Sequence, residues 1–142
     1  MGSSLPRAVI DTSVLVAGVL GAKGASRELL TRALDLEFVW LVSDPILKEY
    51  RMILAMDKIK LKATFSKKLL KVLDRLWEEL KKGVVSHIKV VRDPTDDMFV
   101  ECAVDHHGDF IVSLDQDLLE LIRFGSVDII RPSDFLSILR KG

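Results

Sequence analysis

The sequence has little of several features that would place it in a specialised class. Its 142 residues include a single cysteine, Cys102, so no intramolecular disulfide can form, which suits a reducing cytoplasm. No run of about 18 apolar residues occurs, so we expect no membrane span and no membrane partner. Residues 1–6 contain no basic region followed by an apolar stretch, so we expect a flexible start and not a signal peptide.

The sequence also has no excess of charge of either sign. Its 21 basic and 21 acidic side chains give a formal net charge of zero. This balance excludes a strongly basic nucleic-acid binder of the histone kind, but it allows a local basic patch. Hydrophobic residues make up 49% and charged residues 30%, which is typical of a folded globular protein. No linker, repeat or low-complexity tract divides the chain, so we predict a single domain over residues 1–142.

Strand-like runs alternate with helix-like runs along the whole chain. This alternation predicts βαβ crossovers and a parallel sheet of five strands with helices on both faces. The predicted strands are 8–10, 38–42, 84–91 (an edge strand, because polar residues interrupt it), 110–113 and 127–130. The predicted helices are 26–36, 44–56, 57–82 in two pieces split near Ser66, 93–107, 115–124 and 132–140, with a glycine-containing loop after Val16.

Carboxylates follow the predicted strands. Asp11 and Asp115 follow strands, with Asp117 two residues after Asp115. Glu49 lies one turn inside the helix after the second strand, and Asp96 and Asp97 lie in the first turn of the helix after the third. The carboxyl ends of parallel strands meet at one edge of a sheet, where ligands bind in open α/β folds. These acids can therefore converge.

Each acid also has a plain structural explanation. Asp11 and Asp115 can be N-caps, Asp96 can interact with its helix dipole, and Glu49 can pair with Lys48 or a nearby arginine. Several carboxylates at one edge repel each other, however, so a fold keeps them together only if a cation binds or one acid is protonated. No cluster of histidine or cysteine accompanies them, and an all-oxygen site favours Mg²⁺ or Mn²⁺ over Zn²⁺. Such an ion beside a nucleic-acid backbone activates water and stabilises the leaving oxygen.

Positive charge is concentrated in residues 57–82, which hold eight lysines and one arginine against four acids. This segment is either the solvated face of a pair of amphipathic helices or a wall that follows the phosphates of a nucleic acid. The candidate nucleic-acid-binding residues are Lys58, Lys60, Lys62, Lys67, Lys68 and Lys71.

Four blocks of sequence, in order, resemble the PIN domain family. They are Val9-Ile10-Asp11-Thr12-Ser13-Val14, Ser43-Asp44 with Glu49-Tyr50, Arg92-Asp93-Pro94 with Asp96 and residues 99–103, and residues 110–119. More narrowly, they are similar to the prokaryotic, VapC-like branch that contains toxin components of toxin–antitoxin systems. The resemblance covers residues 7–140.

The resemblance implies a Rossmann-like, three-layer α/β fold with strand order 3-2-1-4-5, and a metal-dependent endoribonuclease that uses Mg²⁺ or Mn²⁺. The acidic quartet that would hold the metal and carry catalysis is Asp11, Glu49, Asp96 and Asp115. Asp117 would be an extra metal ligand, Ser13 would steady the first acid or a metal-bound water, and Asp97 is the alternative to Asp96. The resemblance also implies an RNA substrate, a cognate antitoxin and a homodimer.

Other functions stay open at this point. They are an RNA-processing nuclease without a toxin role, a PIN scaffold used only for binding, and a receiver-like signalling domain. A binding scaffold would have an incomplete acidic set, whereas all four positions are filled here. A receiver needs a lysine after its last strand, where this chain has Arg131-Pro132, and Asp11-Thr12-Ser13 lacks the second aspartate of a phosphatase motif.

Overall fold

The structure is a computed structural model that describes residues 5–21, 24–56, 63–80 and 94–141, with the backbone alone for 63–64 and 94–97. These residues form an α/β fold in which helices flank a five-stranded sheet. The elements in chain order are β1 (Arg7–Ile10), α1 (Thr12–Leu20), α2 (Ala25–Leu34), β2 (Val39–Leu41), α3 (Asp44–Leu54), α4 (Ala63–Leu80), α5 (Pro94–Asp105), β3 (Phe110–Val112), α6 (Gln116–Leu119), β4 (Arg123–Phe124), β5 (Val127–Ile130) and α7 (Pro132–Lys141).

The strand β1 lies near the middle of the sheet, whose order is β2-β1-β3-β5-β4. It pairs in parallel with β2 on one side and with β3 on the other. Ala8, Val9 and Ile10 are fully buried, which agrees with their uncharged, apolar character. The backbone N–H of Asp11 donates to the carbonyl of Val112 at 2.9 Å, so the carboxyl ends of β1 and β3 lie side by side.

The observed strand order agrees with the PIN resemblance for β2, β1, β3 and β5, while the predicted strand 84–91 lies outside the described residues. The predicted parallel sheet is confirmed for β2, β1, β3 and β5, and the structure differs from it at one edge. The predicted helix 115–124 ends at Leu119, and Ile122 takes a positive φ of 63°. The chain then returns as β4, antiparallel to β5, with Arg123 bonded to Asp128 at 2.8 Å.

The loop predicted after Val16 begins later than expected, because α1 continues through Gly18 to Leu20, while Gly21 and Gly24 do lie between α1 and α2. Gly18 signals a loop in the sequence, but its role here is close packing of α1 on α2. A Cβ atom at Gly18 would overlap the side chain of Leu30 and lie 2.9 Å from the carbonyl oxygen of Ser26.

The remaining helices mostly follow the prediction. The helices α3, α5 and α7 begin and end within two residues of the expected bounds, and the side chain of Ser43 accepts from Ile46 N to cap α3. The split near Ser66 is wrong, since α4 runs unbroken from 63 to 80. Residues 57–62 lie outside the described residues. Within the described part of the chain, no helix is both long and apolar enough to cross a membrane.

Candidate functional site

Asp11 lies directly after β1, at the N-cap position of α1, but its side chain does not cap that helix. Its Oδ2 instead accepts hydrogen bonds from the hydroxyls of Ser13 at 2.6 Å and Ser113 at 2.8 Å. Asp11 is only 6% exposed. The cap interpretation of Asp11 is therefore wrong, and a second explanation is needed for a buried carboxylate at this edge.

Ser13 and Ser113, which we call the serine clamp, hold Asp11 in the same way from two directions. Ser13 Oγ also accepts from the backbone N–H of Leu114 at 3.1 Å, and Ser113 Oγ accepts from that of Asp115 at 2.9 Å. Each hydroxyl thus receives a backbone hydrogen from the loop after β3 and gives its own hydrogen to Asp11 Oδ2. Among the described residues no hydrogen bond reaches Oδ1, so this oxygen is the one available to a ligand.

Asp115 stands next to Asp11 through this clamp. Its Oδ1 accepts from the backbone N–H of Asp117 at 2.9 Å and caps α6, so the cap interpretation is confirmed for this oxygen. Asp117 itself is exposed. Ser113 bridges the two predicted ligands, because it touches the carboxylate of Asp11 and the amide of Asp115.

Glu49 projects from α3 towards the start of α1. Its Oε2 accepts a hydrogen bond from the hydroxyl of Thr12, the residue that follows Asp11. Lys48, a partner considered from the sequence, instead pairs with Asp44 at 3.2 Å. The structure therefore brings Glu49 to the same strand end as Asp11 and not to a surface ion pair.

Asp96 and Asp97 both lie in the first turn of α5, and their side chains lie outside the described part of the structure. The helix packs against β1 and β3, and the carbonyl of His106, just after its end, accepts from Arg7 at the start of β1. Because α5 ends beside the amino end of β1, its first turn lies towards the carboxyl edge, where Asp11 is. Which of the two acids is the third member of the quartet stays a prediction.

The charge environment separates these acids from others in the chain. In the described residues Glu28, Glu37, Asp44, Asp74 and Asp128 each lie 2.8–3.3 Å from an arginine or lysine nitrogen.

Asp11, Glu49 and Asp115 form no ion pair within the same described ranges, and the hydrogen bonds they accept there come from neutral hydroxyl and amide groups. No group of three or more His, Cys, Asp or Glu side chains in those ranges is arranged to hold a metal. The three described acids therefore need a further donor to complete such a site, and Asp96 is the predicted one. Their hard oxygen donors fit Mg²⁺ or Mn²⁺.

Three residues at the site had no assigned role from the sequence: Thr12, Tyr50 and Ser113. Tyr50, which is fully buried, donates its hydroxyl to the carbonyl of Ile10. Burial raises the pKa of Tyr50 well above its ordinary value, so its hydroxyl stays protonated. The sequence does contain a signal for Ser113. This serine lies two residues before Asp115, just as Ser13 lies two residues after Asp11.

The candidate RNA-binding lysines are described only in part. Lys67, Lys68 and Lys71 are exposed on α4, which packs against α3, the helix of Glu49. The other three candidates, Lys58, Lys60 and Lys62, lie outside the described residues.

Comparisons with known proteins identify the family. A family model described as PIN domain matches residues 7–117, a span that includes all four acids of the predicted quartet. Searches of curated proteins and of solved structures each find no match to the chain. PIN domains are generally nucleases and typically bind divalent metals. The matched span is well over half of the chain, and the chain belongs to the PIN domain family.

Proposed function

We propose that this protein is a metal-dependent endoribonuclease that acts in the cytoplasm and hydrolyses phosphodiester bonds of RNA. The proposal rests on three carboxylates at one sheet edge, those of Asp11, Glu49 and Asp115. Neutral donors orient them, and no cationic side chain in the described residues pairs with them. A buried carboxylate is costly unless a cation compensates it. A bound divalent ion would supply that compensation.

The residues have separate roles in this proposal. Asp11, through Oδ1, would hold Mg²⁺ or Mn²⁺ together with Asp115, Asp96 and Glu49, and Asp117 would contribute from the rim. The serine clamp keeps Asp11 Oδ2 occupied, so that the carboxylate presents its other oxygen. Thr12 holds Glu49 at the same edge. When bound, the ion would activate a water and offset charge on the phosphodiester, and hydrolysis would leave a 5′-phosphate and a 3′-hydroxyl.

The exposed lysines of α4 support a nucleic acid as the substrate class, and the choice of RNA rests on the family resemblance. Lys67, Lys68 and Lys71 lie on the helix that packs on α3, and cationic side chains of this kind bind nucleic-acid phosphates without sequence preference. RNA binding by this face would weaken as salt is added, because phosphate contacts release counterions.

The test is cleavage of single-stranded RNA with Mn²⁺ or Mg²⁺, with and without a chelator. We expect cleavage by the parent, none with chelator, and none by Asp11→Asn. Asp44→Asn is the matched control, because Asp44 is an aspartate at a helix start that is paired with Lys48 and lies outside the quartet. Cleavage that persists unchanged in chelator would contradict the proposal.

We further propose, on the resemblance to the VapC-like branch, that the nuclease is a homodimeric toxin controlled by a cognate antitoxin. Growth arrest on expression of the parent but not of Asp11→Asn, relieved by co-expression of the neighbouring reading frame, would support this role. A solitary gene whose expression is harmless would favour RNA processing instead.

A further inference from the structure

We propose that Tyr50 is a positioning residue for this site, because its hydroxyl fixes the helix that carries Glu49 against the strand end that carries Asp11. The inference rests on the proposed metal site and goes beyond its ligands.

The Tyr50 hydroxyl lies at the point where the pairing of β1 with β2 stops. The pairing of β1 with β2 ends at Val9–Leu41, and the next carbonyl on β1, that of Ile10, accepts from Tyr50 instead of from the sheet. Both Ile10 and Tyr50 are fully buried, so water does not replace this donor. This hydrogen bond therefore satisfies the last carbonyl of β1 on the side of β2, one residue before Asp11.

The positions in sequence make this bond part of the site. Glu49 precedes Tyr50 on α3, and Asp11 follows Ile10 on β1. One side-chain hydrogen bond thus joins atoms that are each one residue away from a predicted ligand. The Thr12–Glu49 bond joins the same two segments a second time.

The strand β2 holds the tyrosine ring from the other side. Trp40 Nε1 donates to the Tyr50 hydroxyl at 3.4 Å, and the two ring centroids are 5.7 Å apart. Within the described part of the chain, the indole makes no hydrogen bond to Asp11, Glu49 or Asp115. Trp40 therefore supports the tyrosine, and the tyrosine hydroxyl bonds to the residue before Asp11.

The first experiment compares Tyr50→Phe with Trp40→Phe. Tyr50→Phe removes the bond to Ile10 and the bond from Trp40, whereas Trp40→Phe removes only the second, and both keep an aromatic ring. We expect both to lower the melting temperature, but only Tyr50→Phe to weaken Mn²⁺ binding, by about tenfold or more, as removal of an outer-shell partner does. Isothermal titration with Mn²⁺ alone, well below both melting temperatures, measures this.

The outcomes separate the inference from the function it rests on. If the parent binds Mn²⁺ and cleaves RNA while Tyr50→Phe binds Mn²⁺ as tightly as the parent, the positioning role is wrong. If Trp40→Phe loses the same affinity, the effect is general loosening of the fold, and the inference is again wrong. A parent that neither binds Mn²⁺ nor cleaves RNA overturns the proposed function and the inference with it.

A second measurement does not depend on the folding of a variant. Tyr50 is the one tyrosine in the sequence, so 3-fluorotyrosine incorporation labels this position alone. Saturation with Mg²⁺ should shift the fluorine resonance in the otherwise unchanged protein and leave it unmoved in Asp11→Asn. An unmoved resonance in a protein that binds Mg²⁺ would show that Tyr50 is not coupled to the site.

Discussion

Replacing Ser113 with alanine tests the serine clamp, and Ser66 supplies a matched control. Both serines are buried, at 0% and 5% exposure. Ser113 Oγ makes two hydrogen bonds, one to the Asp11 carboxylate at 2.8 Å and one from Asp115 N at 2.9 Å. Ser66 Oγ has no hydrogen-bond partner among the residues that the structure describes. The same chemical change therefore removes a satisfied hydroxyl in one case and an unsatisfied one in the other.

The two substitutions should change the free energy of unfolding differently. A bond to a charged group contributes about 1.5–3 kcal/mol and a neutral one about 0.5–1.5 kcal/mol, so Ser113→Ala should lower the free energy of unfolding by about 2–4 kcal/mol. Ser13 still bonds to Asp11, which favours the lower end. Ser66→Ala removes a buried group that lacks a partner, so it should leave stability unchanged or raise it by about 1 kcal/mol.

Urea unfolding at equilibrium, followed by circular dichroism, measures both differences. For a domain of this size about 3 °C of melting temperature corresponds to 1 kcal/mol, so Ser113→Ala should melt about 6–12 °C below the parent. If Ser113→Ala is as stable as the parent, or if Ser66→Ala loses more than Ser113→Ala, the clamp is not an energetic feature of the site and our reasoning about it is wrong.

Three further predictions concern the scaffold. Gly18→Ala should destabilise the protein by about 1–3 kcal/mol in urea unfolding, because the added methyl overlaps Leu30; unchanged stability would contradict the packing role of this glycine. Leu36→Gly should stabilise the protein by about 1 kcal/mol, because Leu36 is exposed and follows α2 with a φ of 59°, a conformation that suits glycine. A loss of stability would show that the leucine side chain matters more than the backbone. Burial lowers the pKa of His106 below its ordinary value, so the unfolded chain takes up the proton more readily and stability is lost as the pH falls below about 6.5. The decrease in melting temperature between about pH 7 and 5 should accordingly be smaller in His106→Gln than in the parent, and equal slopes would contradict it.

Much of the fold follows from the sequence because hydrophobic period and turn chemistry are local signals. The buried strand before Asp11 and the helix that begins after Ser43 are examples. The errors occur where a residue has a tertiary role that outweighs its local preference. Gly18 lies inside α1, where its lack of a side chain leaves room for α2, and Ser66 continues α4 although serine often interrupts helices.

The site is less predictable than the fold for a related reason. The sequence indicates which acids reach the sheet edge, because strand order alone places Asp11 and Asp115 side by side. It does not indicate which oxygen is free, since that depends on hydroxyl contacts between residues about a hundred positions apart, such as Ser113 with Asp11. The buried bond from Tyr50 to Ile10 is of the same kind.

Asparagine and glutamine substitutions at the quartet keep side-chain size and remove charge. In Asp11→Asn the remaining carbonyl oxygen can still accept from the serine clamp, so the fold should persist, with the amide facing the position of the ion. Removing one of several acids relieves their mutual repulsion, which offsets the weaker hydrogen bonds that a neutral amide accepts, so the metal-free melting temperature should stay close to that of the parent.

The increase in melting temperature on adding Mn²⁺ tests the central claim, that these carboxylates together hold a divalent cation. A ligand at about 100 times its Kd stabilises the folded state by about 2.7 kcal/mol, so the increase should be several degrees in the parent. It should shrink in each quartet variant and persist in the two comparison variants. The quartet variants are Asp11→Asn, Glu49→Gln, Asp96→Asn and Asp115→Asn, and the comparisons are Asp44→Asn and Asp97→Asn.

If Asp97→Asn loses the increase while Asp96→Asn keeps it, the third acid is the neighbouring residue. An increase of the same size in Asp11→Asn and in the parent, or none in the parent, would contradict the account.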